Sequence, residues 1–297
     1  MDLPFVSVAI ITYNQKVFLE ECIESILNQD YPNFEIIVAD DCSQDGTKEM
    51  LLDYDKMYPN RFVLKIAEKN QGITKNSNVA HFTCRGKYIA WMGGDDLMLP
   101  GKLSKQVRFM EANKDCYVSY HNLEVFESDS LKKMYLMNND ANAFEGGFKE
   151  IVKYGSFNGA CSTMVRRDKT PKDGFDERIP IASDWLYWME TIGSGGKIMY
   201  VNEVLGKYRR HDNNVTRHSG SLKNHIDHLN SCNILMTKYP HFSREILERY
   251  FEILRSLRLY DSSNYIFWLK ASLMVSLKYK SLISILIYYL TFGRKKL

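Results

Sequence analysis

Tyr88-Ile89-Ala90-Trp91-Met92-Gly93-Gly94-Asp95-Asp96 is an apolar run that ends in two adjacent carboxylates. Tyr88 to Met92 suit a strand covered on both faces, and Pro100 permits a helix to begin just beyond it. Neighbouring carboxylates repel, so a positive partner is expected; a hard divalent cation with oxygen ligands, Mg²⁺ or Mn²⁺, is the economical candidate. The two glycines let a bulky ligand come close to the backbone. A solvated Gly-Gly-Asp-Asp turn is the competing reading, and these residues alone leave both open.

Outward from this stretch the pattern alternates strand and helix. Residues 6–12 read as a buried strand, and Leu19, Cys22, Ile23, Ile26 and Leu27 recur at helical spacing. Residues 34–39 form a second β-rich run, followed by Asp40-Asp41-Cys42-Ser43-Gln44-Asp45-Gly46-Thr47 and a helix through Met50, Leu51, Tyr54 and Met57. Residues 61–67 read as a third strand, 73–82 as a short helix and 88–92 as the fourth strand. Such alternation predicts a parallel sheet whose ligand site lies at the carboxyl ends of the strands. Thr12-Tyr13-Asn14, Asp40-Asp41 and Asp95-Asp96 all fall there. A dinucleotide fingerprint is excluded, because Tyr13-Asn14-Gln15-Lys16-Val17-Phe18 follows the first strand. An EF-hand loop from Asp41 fails at its twelfth position, Leu52, where a bidentate Glu is required; Asp45 and Thr47 read as helix caps.

The chain has 297 residues, 45% of them hydrophobic, enough for one large domain with an appendage. Its six cysteines show no CxxC pair, the usage of buried thiols in a reducing compartment. Asp2 and the lack of a basic region before residues 6–12 argue against a secretion signal, so the expected location is cytoplasmic. Residues 221–297 hold 12 Lys/Arg and 5 Asp/Glu, leaving 27 and 31 before them. An acidic body gives no footprint for nucleic acid, whereas a basic, apolar tail suits an anionic membrane surface.

Three motifs together, Ser7-Val8-Ala9-Ile10-Ile11-Thr12-Tyr13-Asn14, Glu35-Ile36-Ile37-Val38-Ala39-Asp40-Asp41-Cys42-Ser43 and Asp95-Asp96-Leu97-Met98-Leu99-Pro100, resemble the family-2 glycosyltransferases. The resemblance covers the first two-thirds of the chain. It implies a GT-A fold, a Rossmann-like, mainly parallel α/β sheet flanked by helices, and metal-dependent, inverting transfer from a nucleotide-diphospho-sugar. Carried over residue by residue, Tyr13 stacks on the base, Asp41 accepts a hydrogen bond from it, and Thr12, Asn14 and Gly94 complete the donor rim. Asp95 ligates the metal, with Asp96 beside it. The family's leading acid before this pair is absent, replaced by Gly93-Gly94. In Asn70-Gln71-Gly72-Ile73-Thr74-Lys75-Asn76-Ser77-Asn78 an Arg is usual where Ser77 stands, so Lys75 is the expected charge and Asn78 a further donor contact.

Farther along, residues 102–113 read as a helix and 116–120 as a strand, while between 127 and 147 the pattern dissolves into a loop-rich region. The resemblance places acceptor choice there. Asp184, in Ser183-Asp184-Trp185-Leu186-Tyr187-Trp188, reads by itself as a helix cap; the resemblance makes it the catalytic base. Val204-Leu205-Gly206-Lys207-Tyr208-Arg209-Arg210-His211 resembles the family's closing strand and Tyr-Arg-x-His turn, which would return Arg209 or Arg210 to the diphosphate side, Arg209 being the expected contact, and His211 to the metal; a solvated edge strand is the alternative. Asn214-Val215-Thr216 is a formal glycosylation sequon.

The expected organisation is a catalytic domain over residues 1–219, with a donor half to about 101 and an acceptor half over 102–219, and a C-terminal α-helical appendage over 220–297. The longest uncharged run in that appendage, residues 281–293, is too short to span a bilayer. It is expected either to lie on the inner face of the cytoplasmic membrane, with Arg294, Lys295 and Lys296 at the headgroups, or to pack on the domain or in a homo-oligomer. The expected activity is inverting transfer of a hexosyl or N-acetylhexosaminyl group, by default from a UDP-sugar, to a glycan or lipid-linked acceptor in surface-polysaccharide synthesis. The alternatives are a sugar-phosphate nucleotidyltransferase and a non-catalytic sugar-nucleotide or membrane-binding module.

Overall fold

Strands β1 (Val6–Thr12), β2 (Phe34–Asp40) and β4 (Tyr88–Gly93) are buried almost throughout. Their side chains alternate between two apolar clusters, one on each face of a sheet. Val8, Ile10, Ile36, Val38, Ala90 and Met92 enter one cluster, and Ala9, Ile37, Ala39, Ile89 and Trp91 the other. A strand buried on both sides has no polar face to show, which is why these segments read as continuous apolar runs. The computed structural model describes residues 3–138, 143–155, 158–212, 214, 222–275 and 279–291. Residues 139–142 of the expected acceptor loop, Val215 and Thr216 of the sequon, Lys278 and the basic end at 294–296 lie outside them.

The sheet runs β3-β2-β1-β4-β8-β6-β9-β5, with β7 paired to β6. The first four strands, including β3 (Phe62–Ile66), are parallel and are joined by α1 (Lys16–Leu27), α2 (Thr47–Met57) and α3 (Ile73–Thr83). The second half adds β5 (Leu97–Met98), α4 (Lys102–Ala112), β6 (Cys116–Glu127), β7 (Lys133–Leu136), α5 (Phe148–Ile151), β8 (Met164–Arg166), α6 (Ser183–Ile192) and β9 (Lys197–Arg210). β8 lies antiparallel between β4 and β6, β9 runs parallel to β6, and β5 is antiparallel to β9. The sheet is therefore mixed but mainly parallel, with its acids at the carboxyl ends of the parallel strands.

One segment differs from the sequence reading, and the expected C-terminal helices join the core. The region expected to be pattern-free contains β7, whose four residues are all exposed and whose only order comes from pairing with β6. The C-terminal helices are α7 (Leu222–Lys238), α8 (Ser243–Tyr260), α9 (Tyr265–Val275) and α10 (Tyr279–Leu290). Cys232, Leu235, Ile246 and Ile253 of α7 and α8 share an apolar cluster with Ala9, Trp91 and Trp188 of the catalytic body. A boundary at 219/220 would divide that cluster. No helix among the described residues is long and apolar enough to cross a membrane.

Candidate active site

The donor rim is built by crossing hydrogen bonds between successive strand ends. Asp41 donates its N–H to the Thr12 carbonyl at 3.0 Å, and Gly94 donates to that of Ile11 at 3.0 Å. The loop after β1 is pinned to the loop after β2: Asn14 N–H donates to Ser43 Oγ at 2.8 Å, and its Oδ1 accepts from the Gln44 N–H at 2.8 Å. Asn14 and Cys42 both hold left-handed backbone, with φ of 51° and 68°, local strain of the kind that gathers at ligand sites. Asp45 sits between two helix starts, accepting from the Lys16 N–H at 2.9 Å and from the Thr47 hydroxyl at 2.6 Å. It is the expected cap, shared by α1 and α2.

Tyr13 is exposed on this rim, its ring open to a flat partner. Asp41 is buried, its two oxygens accepting from the N–H groups of Gln71 and Gly72 at 2.7 and 2.9 Å, which fixes the start of α3. Each carboxylate oxygen keeps a second lone pair for a ligand. Lys75, in the first turn of α3, lies 3.7 Å from Glu177 in an exposed pair. Thr12 is buried beneath Gly94, where an added Cβ would stand 2.8 Å from its hydroxyl. Asn78 does not join the rim. Both ends of its buried amide are engaged by Phe175, donating to the carbonyl at 2.9 Å and accepting from the N–H at 2.7 Å, so it pins the 175 loop instead.

The two carboxylates at the end of β4 have opposite surroundings. Asp95 is at the rim, 15% exposed, and its Oδ2 meets His211 Nε2 and Asn214 Nδ2, each at 2.9 Å. The Asn214 amide also accepts the His211 N–H at 2.7 Å, locking the turn beyond β9; the sequon asparagine is thus buried and engaged. Asp96 turns inward, 4% exposed, and accepts the Arg209 N–H at 3.0 Å. Burial, and then the charge of Asp95, push its carboxyl well above the usual carboxylate range, while the Arg209 N–H and the Cys161 thiol work against them. Asp96 is therefore an anchor for β9 and not an open metal ligand.

Arg209 is also displaced from its expected role. Its guanidinium is 1% exposed, donates to the Asp95 carbonyl at 2.8 Å and to Glu21 at 2.5 Å, and lies 4.7 Å from the ring centres of both Phe18 and Phe126. This positive charge supports the acidic turn from behind instead of reaching a diphosphate. The partners Glu21, Phe18, Phe126 and Asn214 were not visible in the sequence, because β9 reaches the turn only by pairing with β5 and β6.

Gly93 stands where the family's leading acid would be. A Cβ there would stand 2.7 Å from Asp95 Oδ1 and 3.3 Å from Asp96 Oδ2, so a side chain at 93 requires the Asp95 carboxylate to shift from its clamped position. The Asp95 carboxylate is the kind of ligand that Mn²⁺ or Mg²⁺ takes, and His211 Nε2, 2.9 Å from its Oδ2, would join as a ligand only by giving up that contact. Among the described residues no group of three or more acid, His or Cys side chains could hold a metal, so the remaining ligands would be diphosphate oxygens and water, as Mg²⁺ sites commonly arrange.

Asp184 is the second residue of α6, and its Oδ1 accepts the Trp185 N–H at 2.8 Å. Burial raises its carboxyl above the ordinary aspartate range, against the pull of the backbone N–H groups. Thr74 ties this helix start to the donor rim, donating to the Ile179 carbonyl at 2.7 Å and meeting Ser183 Oγ at 3.0 Å, two residues from Gly72 on Asp41. Asp184 is therefore not the cap of α6, which is Ala182; its carboxylate binds one N–H of the first turn and keeps a raised basicity.

The description "Glycosyl transferase family 2" matches residues 7–171, more than half of the chain. The chain belongs to glycosyl transferase family 2. It is a glycosyltransferase. Among its relatives, an uncharacterized glycosyltransferase of Methanocaldococcus jannaschii is 32% identical over 73% of this chain and 75% of its own. TuaG of Bacillus subtilis, a glycosyltransferase named for teichuronic acid biosynthesis, is 27% identical over 72% of this chain and 82% of its own. WfaP of Escherichia coli, named a UDP-Glc:alpha-D-GlcNAc-diphosphoundecaprenol beta-1,3-glucosyltransferase, is 28% identical over 72% and 80%. In fold the chain is similar to S. aureus TarS, solved with UDP-GlcNAc, at a TM-score of 0.70, 17% identity and coverage of 91% of this chain and 81% of that one. It is also similar to the mannosyltransferase PcManGT of Pyrobaculum calidifontis, solved with GDP-Man and Mn²⁺, at 0.61, 14%, 95% and 83%. The expected α/β GT-A fold is the observed one, and family membership removes both the nucleotidyltransferase and the non-catalytic reading.

Proposed function

We propose that this glycosyltransferase moves a sugar from a nucleoside-diphosphate sugar, by default a UDP-sugar, to a hydroxyl of a glycan or lipid-linked acceptor, inverting the anomeric carbon. What supports the reading is Asp95 at the end of β4, clamped by His211 and Asn214, together with Asp184, a carboxylate of raised basicity at the start of α6, a helix start that Thr74 ties to the loop held by Asp41. Tyr13 offers its ring to the base, Asp41 accepts a base N–H, and Lys75 faces the phosphates with its ammonium. Asp184 accepts the proton of the acceptor hydroxyl; the hydroxyl oxygen bonds to the anomeric carbon as the bond to the diphosphate oxygen breaks, and the nucleoside diphosphate leaves with that electron pair. Asp95, with His211 beside it, would hold a divalent cation, Mg²⁺ or Mn²⁺, which would supply positive charge against the leaving diphosphate.

The names of WfaP and TuaG favour a place in surface-polysaccharide synthesis, with a sugar on a polyprenyl diphosphate as the acceptor class. The outer helices favour a peripheral position on the membrane surface: Phe267 and Met274 of α9 and Leu286 and Leu290 of α10 are exposed apolar side chains. The test is nucleotide release from UDP-Glc, UDP-Gal, UDP-GlcNAc and GDP-Man, each with Mn²⁺ or Mg²⁺ and a monosaccharide-diphosphate-polyprenol acceptor. Acceptor-dependent release, with the new linkage opposite in anomeric configuration to the donor by NMR, is expected. Retained configuration, or release without sugar transfer to any such acceptor, would contradict the proposal.

A further inference from the structure

The segment that presents Asp184 is held by a C-terminal helix, and both lie beyond the residues 7–171 that match the family. Asp227 of α7 is 4% exposed, and its Oδ2 accepts two successive backbone N–H groups, from Ile181 at 2.9 Å and Ala182 at 3.1 Å. These lie immediately before α6, whose cap residue Ala182 has no side chain able to accept them. On the other side of Asp184, the buried Trp185 ring stands edge-on to His228, the residue after Asp227, with ring centres 5.4 Å apart. Two consecutive residues of α7 thus grip the chain before and after the base. Ser231 donates to the Asp227 carbonyl at 2.8 Å within α7, so the grip rests on an ordered helix turn.

We infer that Asp227 is a positioning residue for transfer: by fixing the 181–182 backbone it sets where the Asp184 carboxylate meets the acceptor hydroxyl. The role assigned to Asp227 requires no contact with donor or acceptor. The inference rests on the proposed role of Asp184, and it assigns α7 a part in turnover beyond covering the core. A carboxylate that orders two N–H groups at a helix start controls the position of the next side chain, and a displacement of about 1 Å at a proton acceptor costs on the order of 10²-fold in rate. The geometry requires only an acceptor oxygen, not a charge. An amide at 227 keeps that oxygen, whereas at 184 it removes the proton acceptor.

The test compares Asp227→Asn, Asp227→Ala and Asp184→Asn in the full chain, reading kcat, donor KM, UDP affinity by calorimetry and melting temperature. Asp227→Ala is expected to lower kcat about 10- to 10²-fold with donor KM and UDP affinity within about twofold. Asp227→Asn is expected to restore most of kcat, while Asp184→Asn abolishes it. If Asp227→Ala cannot be purified folded, Asp227→Ser supplies the same loss with a small polar side chain. Inactive Asp184→Asn with fully active, folded Asp227→Ala or Asp227→Ser overturns the positioning role alone. Active Asp184→Asn overturns the base assignment beneath it. Loss of kcat and UDP affinity together at 227, not rescued by Asn, would mean that Asp227 merely holds the fold.

Discussion

Replacing Gly93 by Ala adds one methyl group at a position where its carbon would lie 2.7 Å from Asp95 Oδ1. Real contacts of that kind do not occur, so something moves, and Asp95 is the mobile side chain in reach. Rotating it away breaks the two 2.9 Å contacts of Oδ2 with His211 Nε2 and Asn214 Nδ2. Hydrogen bonds to a charged group contribute about 1.5–3 kcal/mol each, so the pair sets an upper limit of roughly 3–6 kcal/mol. Two effects offset it: at 15% exposure Asp95 regains water, and moving it away from buried Asp96 relieves like-charge repulsion. A net cost of about 1–2 kcal/mol remains, equivalent to a fall of roughly 1.5–3 °C in melting temperature for a chain of this size. The larger effect is on metal use, since misdirecting a ligand's supporting contacts typically costs about 10- to 100-fold in metal affinity. The assay is turnover against Mn²⁺ concentration, with Gly147→Ala as control, where the nearest atom to an added Cβ is 3.5 Å away. A rise of about 10- to 100-fold in the half-saturating Mn²⁺ concentration for Gly93→Ala alone is expected. Unchanged melting temperature and unchanged Mn²⁺ dependence would refute the argument that Gly93 is kept free to let Asp95 be clamped.

Asp184→Asn keeps an oxygen for the Trp185 N–H but loses the proton acceptor, so kcat should fall by about 10²-fold or more with UDP affinity unchanged; equal loss of affinity would mark a structural role. Because burial raises the Asp184 carboxyl, the acid limb of the kcat/KM profile should fall above the ordinary aspartate value of about 3.9, activity disappearing as pH drops through it. Asp45→Ala removes the acceptor shared by α1 and α2 and should cost about 1–2 kcal/mol in urea unfolding. Burial opposes ionisation of Asp45, but its hydrogen bonds from Thr47 and the Lys16 N–H outweigh it and lower the carboxyl below its unfolded value; the stabilisation is therefore present above about pH 4 and lost as pH falls through the lower folded value. Its absence in Asp45→Ala is the check. Deleting residues 276–297 should abolish co-sedimentation with anionic vesicles while a soluble acceptor analogue is still glycosylated; an oligomer that dissociates on deletion, with no vesicle binding by the full chain, would favour self-association. That cut keeps Tyr265 and Leu269, which are buried, whereas deletion from residue 262 would remove them as well.

The parallel half of the sheet was legible because β1, β2 and β4 carry their signal locally: unbroken apolar runs, then polar residues, then helical spacing. The places of Asp95 just after β4 and of Asp184 at a helix start were legible in the same way, from the elements beside them. What the sequence did not show depends on partners distant along the chain. Arg209 reads as a phosphate-binding cation until β9 is paired with β5 and β6, which buries it between Phe18 and Phe126. Asp96 looks equivalent to Asp95 until the same pairing sets the Arg209 N–H against it. Asn78 lies on a helix start like any donor contact, and only the return of the chain at Phe175 engages its amide. The α7 helix has an ordinary amphipathic pattern, and nothing in its spacing reveals that Asp227 meets two backbone N–H groups 45 and 46 residues earlier.

The account rests most directly on Asp95 and His211 as the protein's hold on a metal-bound nucleoside diphosphate. The measurement is UDP binding by calorimetry with Mn²⁺ and with EDTA, for the unaltered chain and for Asp95→Asn, His211→Ala and Asp96→Asn, each checked for folding. The prediction is metal-dependent UDP binding that weakens at least about 10-fold in Asp95→Asn and His211→Ala and persists in folded Asp96→Asn. UDP binding of equal strength in EDTA, or Mn²⁺-dependent binding unaffected by Asp95→Asn, would contradict it.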